Sequence, residues 1–201
     1  QRGDTDDGDL LVVIEGDGRA WRSRRRPSAD PTPTHAVGLD LALASGAGNV
    51  LYIGRPCQFL ERARPAGCEA RWWTSHRYAP AVVTALSDAI DAATGDPGPS
   101  GGVTLLGYSG GGVLALLLAA AREDVALVVT VGANLDTHAW TAHHGVSPLS
   151  GSDSPVHHVA ALAAVPQLHL AGARDRVVLP ALNRPLLAAI GPAASLYVVE
   201  G

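Results

Sequence analysis

The sequence predicts an α/β fold, a mostly parallel β-sheet with helices packed on both faces. Short apolar runs rich in β-branched residues recur along the chain, and stretches with helical spacing separate them. The runs are apolar at consecutive positions, which is typical of strands buried on both faces. With 201 residues, 47% of them hydrophobic, the chain is expected to form one domain over residues 1–201 with a sizeable core.

The first elements follow from local patterns. Residues 10–15 (LLVVIE) form an apolar run that Gly-Asp-Gly ends, which predicts a strand. Residues 34–45 have spaced apolar positions after two prolines and predict a helix. Residues 49–53 (NVLYI) predict a second strand, stopped by glycine and proline. Residues 80–93 begin with proline and put their apolar side chains on one helical face.

The centre of the chain has the clearest pattern. A strand is predicted at 103–106, a glycine-rich turn at 107–112 and a strongly apolar helix at 113–122. The remaining elements, predicted on the same grounds, are strands at 125–131, 167–171 and 195–200 and a helix at 181–190. The stretch 135–165 is polar, rich in histidine and weakly periodic, and a connection of this length predicts a cap over a site.

The composition excludes several classes of protein. The chain has 15 basic residues against 19 acidic ones, which argues against a nucleic-acid-binding protein that depends on a broad positive surface. The longest apolar run, residues 113–121, is far shorter than the ~20 residues that cross a bilayer, so no membrane span is predicted. Because the sequence contains no methionine, we expect Gln1 not to be a natural start and the chain to be processed or a fragment. The missing histidine discussed below extends this expectation to truncation at both ends.

The two cysteines, Cys57 and Cys68, lie close together in a polar stretch with proline and glycine. A disulfide between them would close a short loop and would form in an oxidising compartment. The alternative is a pair of unrelated free thiols. The sequence contains no CxxC pattern of a redox or zinc site.

Residues 107–111 read Gly-Tyr-Ser-Gly-Gly, a G-x-S-x-G sequence. The match begins at the end of a predicted strand and opens a predicted helix, which is the context of a nucleophile elbow. In so tight a turn, a Cβ at position 107 or 111 would collide with the adjoining strand or helix. Ser109 is therefore the candidate nucleophile, with the N–H of Gly110 pointing at an oxyanion beside it. The alternative is a glycine-rich turn with an incidental serine.

Phosphate binding is a competing interpretation, since phosphates also bind at such turns. The dinucleotide fingerprint requires glycine where Ser109 stands and an acidic residue at the end of the next strand, and neither is present. A P-loop requires lysine, which the chain lacks. The histidine pairs at 143–144 and 157–158 lack the spacing of a zinc site. No metal ion or organic cofactor is expected.

A serine nucleophile needs a base, and the base needs a carboxylate that orients it. In hydrolases with this turn, the order along the chain is serine, acid, histidine. Asp175, after the fifth predicted strand, is the candidate acid, with a surface ion pair to a neighbouring arginine as the alternative. Asp136, after the fourth strand, is the second choice. The histidine belongs after the last predicted strand, where none of the eight histidines stands, so we expect it beyond Gly201.

The second oxyanion donor is expected from the loop after the first strand, residues 15–21 (EGDGRAW). Its two glycines allow the backbone to turn N–H groups inward, and Asp17 and Gly18 are the candidate donors. The carboxylate of Asp17 would repel a developing oxyanion, so its side chain is expected to face away. An ordinary tight turn is the alternative.

With these motifs placed, the sequence resembles the α/β-hydrolase superfamily over nearly its whole length. It is most similar to small exported or lipoprotein-type hydrolases of Gram-negative bacteria. These carry an EGDG-x-x-W loop, an RPCQ segment with a second cysteine before a W-T pair, and an NLDTxxWTxHHGxxPL segment. The matching residues here are 15–21, 55–58 with Cys68 and Trp73-Thr74, and 134–149. The resemblance implies a serine hydrolase, an exported location and a histidine-containing segment after Gly201.

The sequence thus predicts a serine hydrolase that cleaves acyl bonds in a small molecule, with carboxylic esters (class EC 3.1) favoured. Tyr108 and Trp140 are expected to line an apolar pocket for a small or medium acyl group. One alternative is a non-catalytic member of the fold that binds a ligand in the former cleft. Another is an acyltransferase or a peptidase that uses the same serine.

Overall fold

The structure is a computed structural model, and it describes residues 8–60, 65–95 and 98–200. The strands in these ranges are β1 (Leu10–Ile14), β2 (Trp21–Ser23), β3 (Arg26–Pro27), β4 (Val50–Ile53), β5 (Val103–Tyr108), β6 (Val125–Val131), β7 (Gln167–Gly172) and β8 (Ala194–Val199). The α-helices are α1 (Val37–Ala44), α2 (Pro80–Thr94), α3 (Gly110–Ala121), α4 (Thr137–His144), α5 (Val159–Leu162) and α6 (Pro180–Ile190). Short 3-10 helices lie at Ala70–Trp73 and Pro155–His157.

Six strands form one sheet in the order β4-β1-β5-β6-β7-β8, and every neighbouring pair is parallel. β2 and β3 form a separate antiparallel hairpin. Because the six strands are parallel, their carboxyl ends all meet at one edge of the sheet. The predicted fold class is confirmed, and this edge is where the loops after β1, β5 and β7 converge.

Helices cover both faces of the sheet. Val12 and Ile14 of β1 belong to the main core with α2 and α3, whereas Val13, equally buried, points to the other face, where α1 packs on β1 and β4. α3 is buried from Gly110 to Ala119 and is apolar on all sides. A helix of that kind belongs at the centre of a domain, and α3 here contacts β5, β6, α2 and α5.

The boundaries differ most from the prediction at α1 and around Ser109, and elsewhere by one residue. The helix predicted at 34–45 covers Val37–Ala44. The strand predicted at 103–106 continues to Tyr108, and the helix predicted from residue 113 begins at Gly110. Three consecutive glycines have poor helix propensity, and burial of the helix overrides it. The stretch 135–165 contains α4 and α5, and Leu162 of α5 is fully buried in the main core. A function of this stretch as a cap stays a prediction.

Cys57 and Cys68 form a disulfide, which confirms the predicted pairing. The bond closes a loop whose residues 61–64 lie outside the described ranges. None of the helices in those ranges has both the length and the apolar composition that crossing a bilayer requires.

Candidate active site

Ser109 is the single residue between β5 and α3. Its backbone has φ 50° and ψ −121°, a conformation with positive φ that residues other than glycine seldom adopt. The N–H of Ser109 donates to the carbonyl of Val131 at 2.9 Å, and its own carbonyl accepts from the N–H of Gly112 at 3.0 Å. These two bonds fix the turn, and Ser109 is half-buried at the carboxyl edge of the sheet.

Space requires glycine on both sides of this turn. A Cβ on Gly107 would overlap the backbone of α3, and a Cβ on Gly111 would overlap the carbonyl of Ile14 in β1. The collisions predicted from the sequence are confirmed. Gly110 is the first residue of α3, so its N–H has no acceptor within the helix and lies next to Ser109 in the chain.

The loop 15–18, which follows β1, lies directly against the serine. A Cβ on Gly16 would stand 3.4 Å from the Cβ of Ser109. Gly18 has a φ of 62°, and a Cβ there would overlap the carbonyl of Pro31. One glycine therefore permits the close approach and the other permits the turn, and the backbone of Asp17 lies between them.

Two arginines and a tyrosine enclose the side chain of Asp17. Its Oδ1 accepts from Arg55 Nη1 at 2.7 Å and its Oδ2 from Arg77 Nη1 at 2.6 Å, while the Tyr78 hydroxyl donates to the carboxylate at 3.0 Å. Burial alone would raise the pKa of Asp17, but the charges of Arg77 and Arg55 lower it to about 2. The carboxylate also lies against Gly110, where a Cβ would overlap it. The expected turn of this side chain away from the elbow does not occur, because its charge is compensated in place.

Gln58 supports the same loop from another side. Its Nε2 donates to the carbonyls of Gly16 at 3.0 Å and Pro31 at 3.4 Å, and its Oε1 accepts from the N–H of Arg55 at 2.9 Å. Gln58 is buried and directly follows the disulfide-bonded Cys57. The disulfide therefore adjoins the side chain that holds the loop.

Asp175 lies in the loop after β7, at the same edge of the sheet as Ser109, with β6 between the two strands. Its Oδ1 accepts from the backbone N–H groups of Val177 at 2.8 Å and Val178 at 2.9 Å. Its Oδ2 is 3.9 Å from the position that a Cβ would take on Gly132, the residue after β6. The second carboxylate oxygen thus faces the space beyond β6, the strand to which Ser109 is also bonded.

The other acid and the histidines have different partners. Asp136 caps α4, because its Oδ1 accepts from the N–H of Ala139 at 2.9 Å. All eight histidines are described, and within the described ranges none is hydrogen-bonded to Ser109 or Asp175. The histidine expected after Gly201 lies outside these ranges. No three His, Cys, Asp or Glu side chains in the described part of the chain are grouped to hold a metal ion.

The two residues predicted to line a pocket lie by different loops. The ring of Tyr108 lies beside Gly16 of loop 15–18, with Cδ1 3.1 Å from the position that a Cβ would take there. Trp140 of α4 donates its indole N–H at 2.8 Å to the carbonyl of Val177, in the loop that carries Asp175. Trp140 therefore holds the acid loop to α4, and contact of either residue with a substrate stays a prediction.

The arginine pair is the part of the site that the sequence analysis missed. Arg55 belongs to the RPCQ segment and Arg77 to no motif. A signal was nevertheless present in Asp17, since a carboxylate in an oxyanion loop requires buried cations to compensate it. The sequence does not show which of its fifteen arginines would supply them.

Comparison with solved structures identifies the fold. The chain is similar to a Klebsiella pneumoniae protein described as a dienelactone hydrolase, with a TM-score of 0.62, 19% identity, and coverage of 100% of this chain and 75% of that one. A proline iminopeptidase from Mycobacterium smegmatis matches 97% of this chain and 82% of its own, with a TM-score of 0.65 and 14% identity. An alpha/beta hydrolase from a Penicillium species matches 96% of this chain and 81% of its own, with a TM-score of 0.62 and 12% identity. The chain therefore has the α/β-hydrolase fold.

No protein-family model and no curated protein matches the sequence. At these low identities the solved structures define the fold, and the chemistry has to be argued from the site.

Proposed function

We propose that this chain is a serine hydrolase that cleaves acyl bonds, with Ser109 as the nucleophile and esters of small molecules as its favoured substrates. The positive φ of Ser109, between a buried strand and the first N–H groups of α3, is the observation that carries the proposal. Such a conformation costs of order 1–3 kcal/mol and persists only where the surroundings impose it. Strain of this size at a half-buried hydroxyl supports a nucleophile rather than a packing role.

In the proposed reaction, Ser109 Oγ attacks the acyl carbonyl carbon while its proton passes to a histidine. The carbonyl π electrons move to oxygen, and the N–H groups of Gly110 and of Asp17 or Gly18 stabilise the oxyanion. Collapse of the intermediate expels the alcohol, which takes the proton back, and water then hydrolyses the acyl-enzyme by the same steps. Asp175 orients the histidine, which in this proposal follows the last residue of the sequence.

Covalent labelling tests the nucleophile. The natural polypeptide that carries this sequence is treated with a fluorophosphonate, which reacts with activated serines, and the modified peptide is identified by mass spectrometry. We expect label on Ser109 and none in Ser109→Ala. Ser154→Ala, which removes a buried serine hydroxyl outside the turn, is the matched control and should be labelled like the unmodified protein.

A protein that is folded, hydrolyses no acyl ester and takes no label would contradict the proposal and favour the non-catalytic ligand-binding alternative. Circular dichroism of each variant establishes that the fold is retained. Label on a serine other than Ser109 would also overturn the assignment.

The scissile bond is tested separately. The similar structures include proteins named for lactone and for peptide substrates, so the fold does not choose between them. We expect short acyl esters to be hydrolysed faster than peptide amides, because an alcohol leaves the tetrahedral intermediate more readily than an amine does. Product analysis with a competing alcohol would reveal an acyltransferase.

The disulfide supports an exported location for this activity.

A further inference from the structure

We propose that Arg55 and Arg77 are positioning residues of the oxyanion hole: they hold loop 15–18 against Ser109 and leave one positive charge in excess beside it. This inference rests on the proposed function. The two guanidinium side chains are only 5% and 8% exposed. Both are paired with one carboxylate, that of Asp17, so the pairing cannot be a simple one-to-one ion pair.

The cluster fixes Asp17 from two directions. Arg77 donates through Nε to the carbonyl of Thr74 at 2.8 Å, and Arg55 donates through Nη2 to the carbonyl of Arg77. Each guanidinium is thus anchored to the backbone as well as to the carboxylate, and charge-assisted bonds of this kind are short and directional. Because the Asp17 side chain is held at both oxygens, its backbone N–H is held as well.

The cluster carries a net charge of +1. Both arginines stay protonated, and burial raises the pKa of Tyr78, so its hydroxyl stays neutral. The other buried carboxylate of the loop, Glu15, accepts from the N–H groups of Gly16 at 2.9 Å and Gly38 at 3.0 Å and from the Tyr52 hydroxyl at 2.8 Å. Among the described residues it makes no hydrogen bond or ion pair to either arginine. The Asp17 carboxylate is the charged group that lies against Gly110, and the two guanidinium groups lie directly on that carboxylate. The charge of the cluster as a whole is therefore positive rather than negative, and a net positive charge in a water-poor setting favours an oxyanion over a neutral carbonyl.

One detail argues against a purely structural role. The Nε of Arg55 is buried and has no hydrogen-bond partner among the described residues. A buried donor without an acceptor and an uncompensated buried charge both oppose folding. A cluster that served stability alone would balance the charges and satisfy this donor, so its composition points to the reaction.

Charge-balanced variants of the natural polypeptide test the inference. Arg77→Gln makes the cluster neutral, and Arg77→Gln combined with Asp17→Asn returns it to +1 without the ion pair. In Arg77→Gln we expect kcat for ester hydrolysis to fall about 10- to 100-fold while KM changes less than about threefold, because the oxyanion exists only in the transition state. The kcat of the double variant should be at least about fivefold higher than that of Arg77→Gln. A structural role predicts no recovery.

Arg122→Gln is the matched control. Arg122 is 11% exposed and pairs with Asp91 and Asp124 at the opposite end of α3 from Ser109. Its loss should lower the Tm as the loss of Arg77 does and leave kcat unchanged.

Wild-type kcat in Arg77→Gln, or a double variant no faster than the single one, would overturn the inference. If Arg77→Gln does not fold, the test uses Arg77→Lys instead. Lysine keeps the positive charge but lacks the planar guanidinium group that bonds to both Thr74 and Asp17. We then expect kcat to fall about threefold to tenfold at unchanged KM, and wild-type kcat in that variant would be the contradicting result. Failure of the proposed function is distinguishable, because the unmodified protein would then neither hydrolyse esters nor take the label on Ser109.

Discussion

The two loops that flank Ser109 are held in different ways. In loop 15–18, Asp17 bonds to arginines 38 and 60 positions away, and Gly16 accepts from Gln58, 42 positions away. In the loop after β7, Asp175 bonds to N–H groups only two and three residues ahead. Oxyanion stabilisation requires donors that do not reorganise during the reaction. The acid, Asp175, has to hydrogen-bond to the histidine and orient it. Long-range hydrogen bonds also reach the acid loop, where Trp140 and His144 bond to the carbonyl of Val177, but only in loop 15–18 do such bonds hold the residue that is proposed to act.

Among the changes that test this comparison, Asp175→Asn has the largest expected effect on kcat. The amide oxygen can still accept from the N–H groups of Val177 and Val178, but the charge that would stabilise a histidinium is gone. We expect kcat to fall about 10³- to 10⁴-fold with unchanged thermal stability. Steady-state kinetics and melting curves measure both.

The matched control is Asp136→Asn, since that carboxylate caps α4. We expect its kcat to stay within about threefold of wild type. If the two variants ranked in the opposite order, the acid would belong to the end of β6 and the comparison of the loops would fail.

A pair of glycine substitutions is expected to have the next largest effect. Gly18→Ala forces a Cβ into the carbonyl of Pro31 at a positive φ, whereas in Gly172→Ala the new atom meets only ordinary contacts at 3.7 Å or more. We expect Gly18→Ala to cost about 2 kcal/mol or more in unfolding free energy and about 100-fold in the fluorophosphonate labelling rate. Gly172→Ala should change stability by less than about 1 kcal/mol and labelling by less than about threefold. Equal effects would mean that the two loops are equally constrained.

Removal of the disulfide sharpens the comparison further. Cys57→Ser with Cys68→Ser should lower the free energy of unfolding by about 3 kcal/mol, from the loop entropy of the unfolded chain. Because Cys57 adjoins Gln58, we also expect kcat to fall about threefold to tenfold. Urea titration and ester kinetics measure the two effects. A stability loss without a change in kcat would show that the disulfide does not support loop 15–18.

Acid is expected to affect the two sides of the site at different pH values. Burial lowers the pKa of His169 in β7 from 6.5 to about 4, so between these values the unfolded chain binds a proton that the folded chain excludes. The contribution of neutral His169 to the free energy of unfolding is complete above pH 6.5 and is lost as the pH falls toward 4. Burial would raise the pKa of Asp17, but its arginines hold it at about 2, so its contribution is lost only from 3.8 down to 2.

Urea titrations across this pH range should therefore show a loss of about 2–3 kcal/mol that is absent in His169→Gln. Amide hydrogen exchange should show β7 opening at a higher pH than loop 15–18. Simultaneous opening would contradict the difference between the loops.

The parallel sheet could be predicted because its signal is local. β6 spans 125–131 as predicted, since its run of valines specifies a buried strand. β7 extends its predicted range by one residue. The start of α3 could not be predicted, because Gly112 favours the helix through its fit against Thr130 and Ala133, which are remote in sequence. β2 and β3 were missed because two- and three-residue exposed strands have no alternation to detect.

The candidate site divides in the same way. Ser109, Gly110 and Asp175 follow from a motif and from chain order. Arg55 and Arg77 do not, because their roles depend on pairings across 38 and 60 residues that no local pattern encodes.

The order of these contacts along the chain bears on how the molecule is made. The residues described around Ser109 on the side of loop 15–18 all precede the end of β6 at Val131, and among them Tyr78 is also hydrogen-bonded to Ser152 and Asp153, which come later in the chain. Since chains assemble from the amino end as they leave the ribosome, the block β4-β1-β5-β6 can close before β7 is translated. On the proposed mechanism, nucleophile and oxyanion donors are assembled during translation, and catalytic competence is acquired only when the last strands join the sheet.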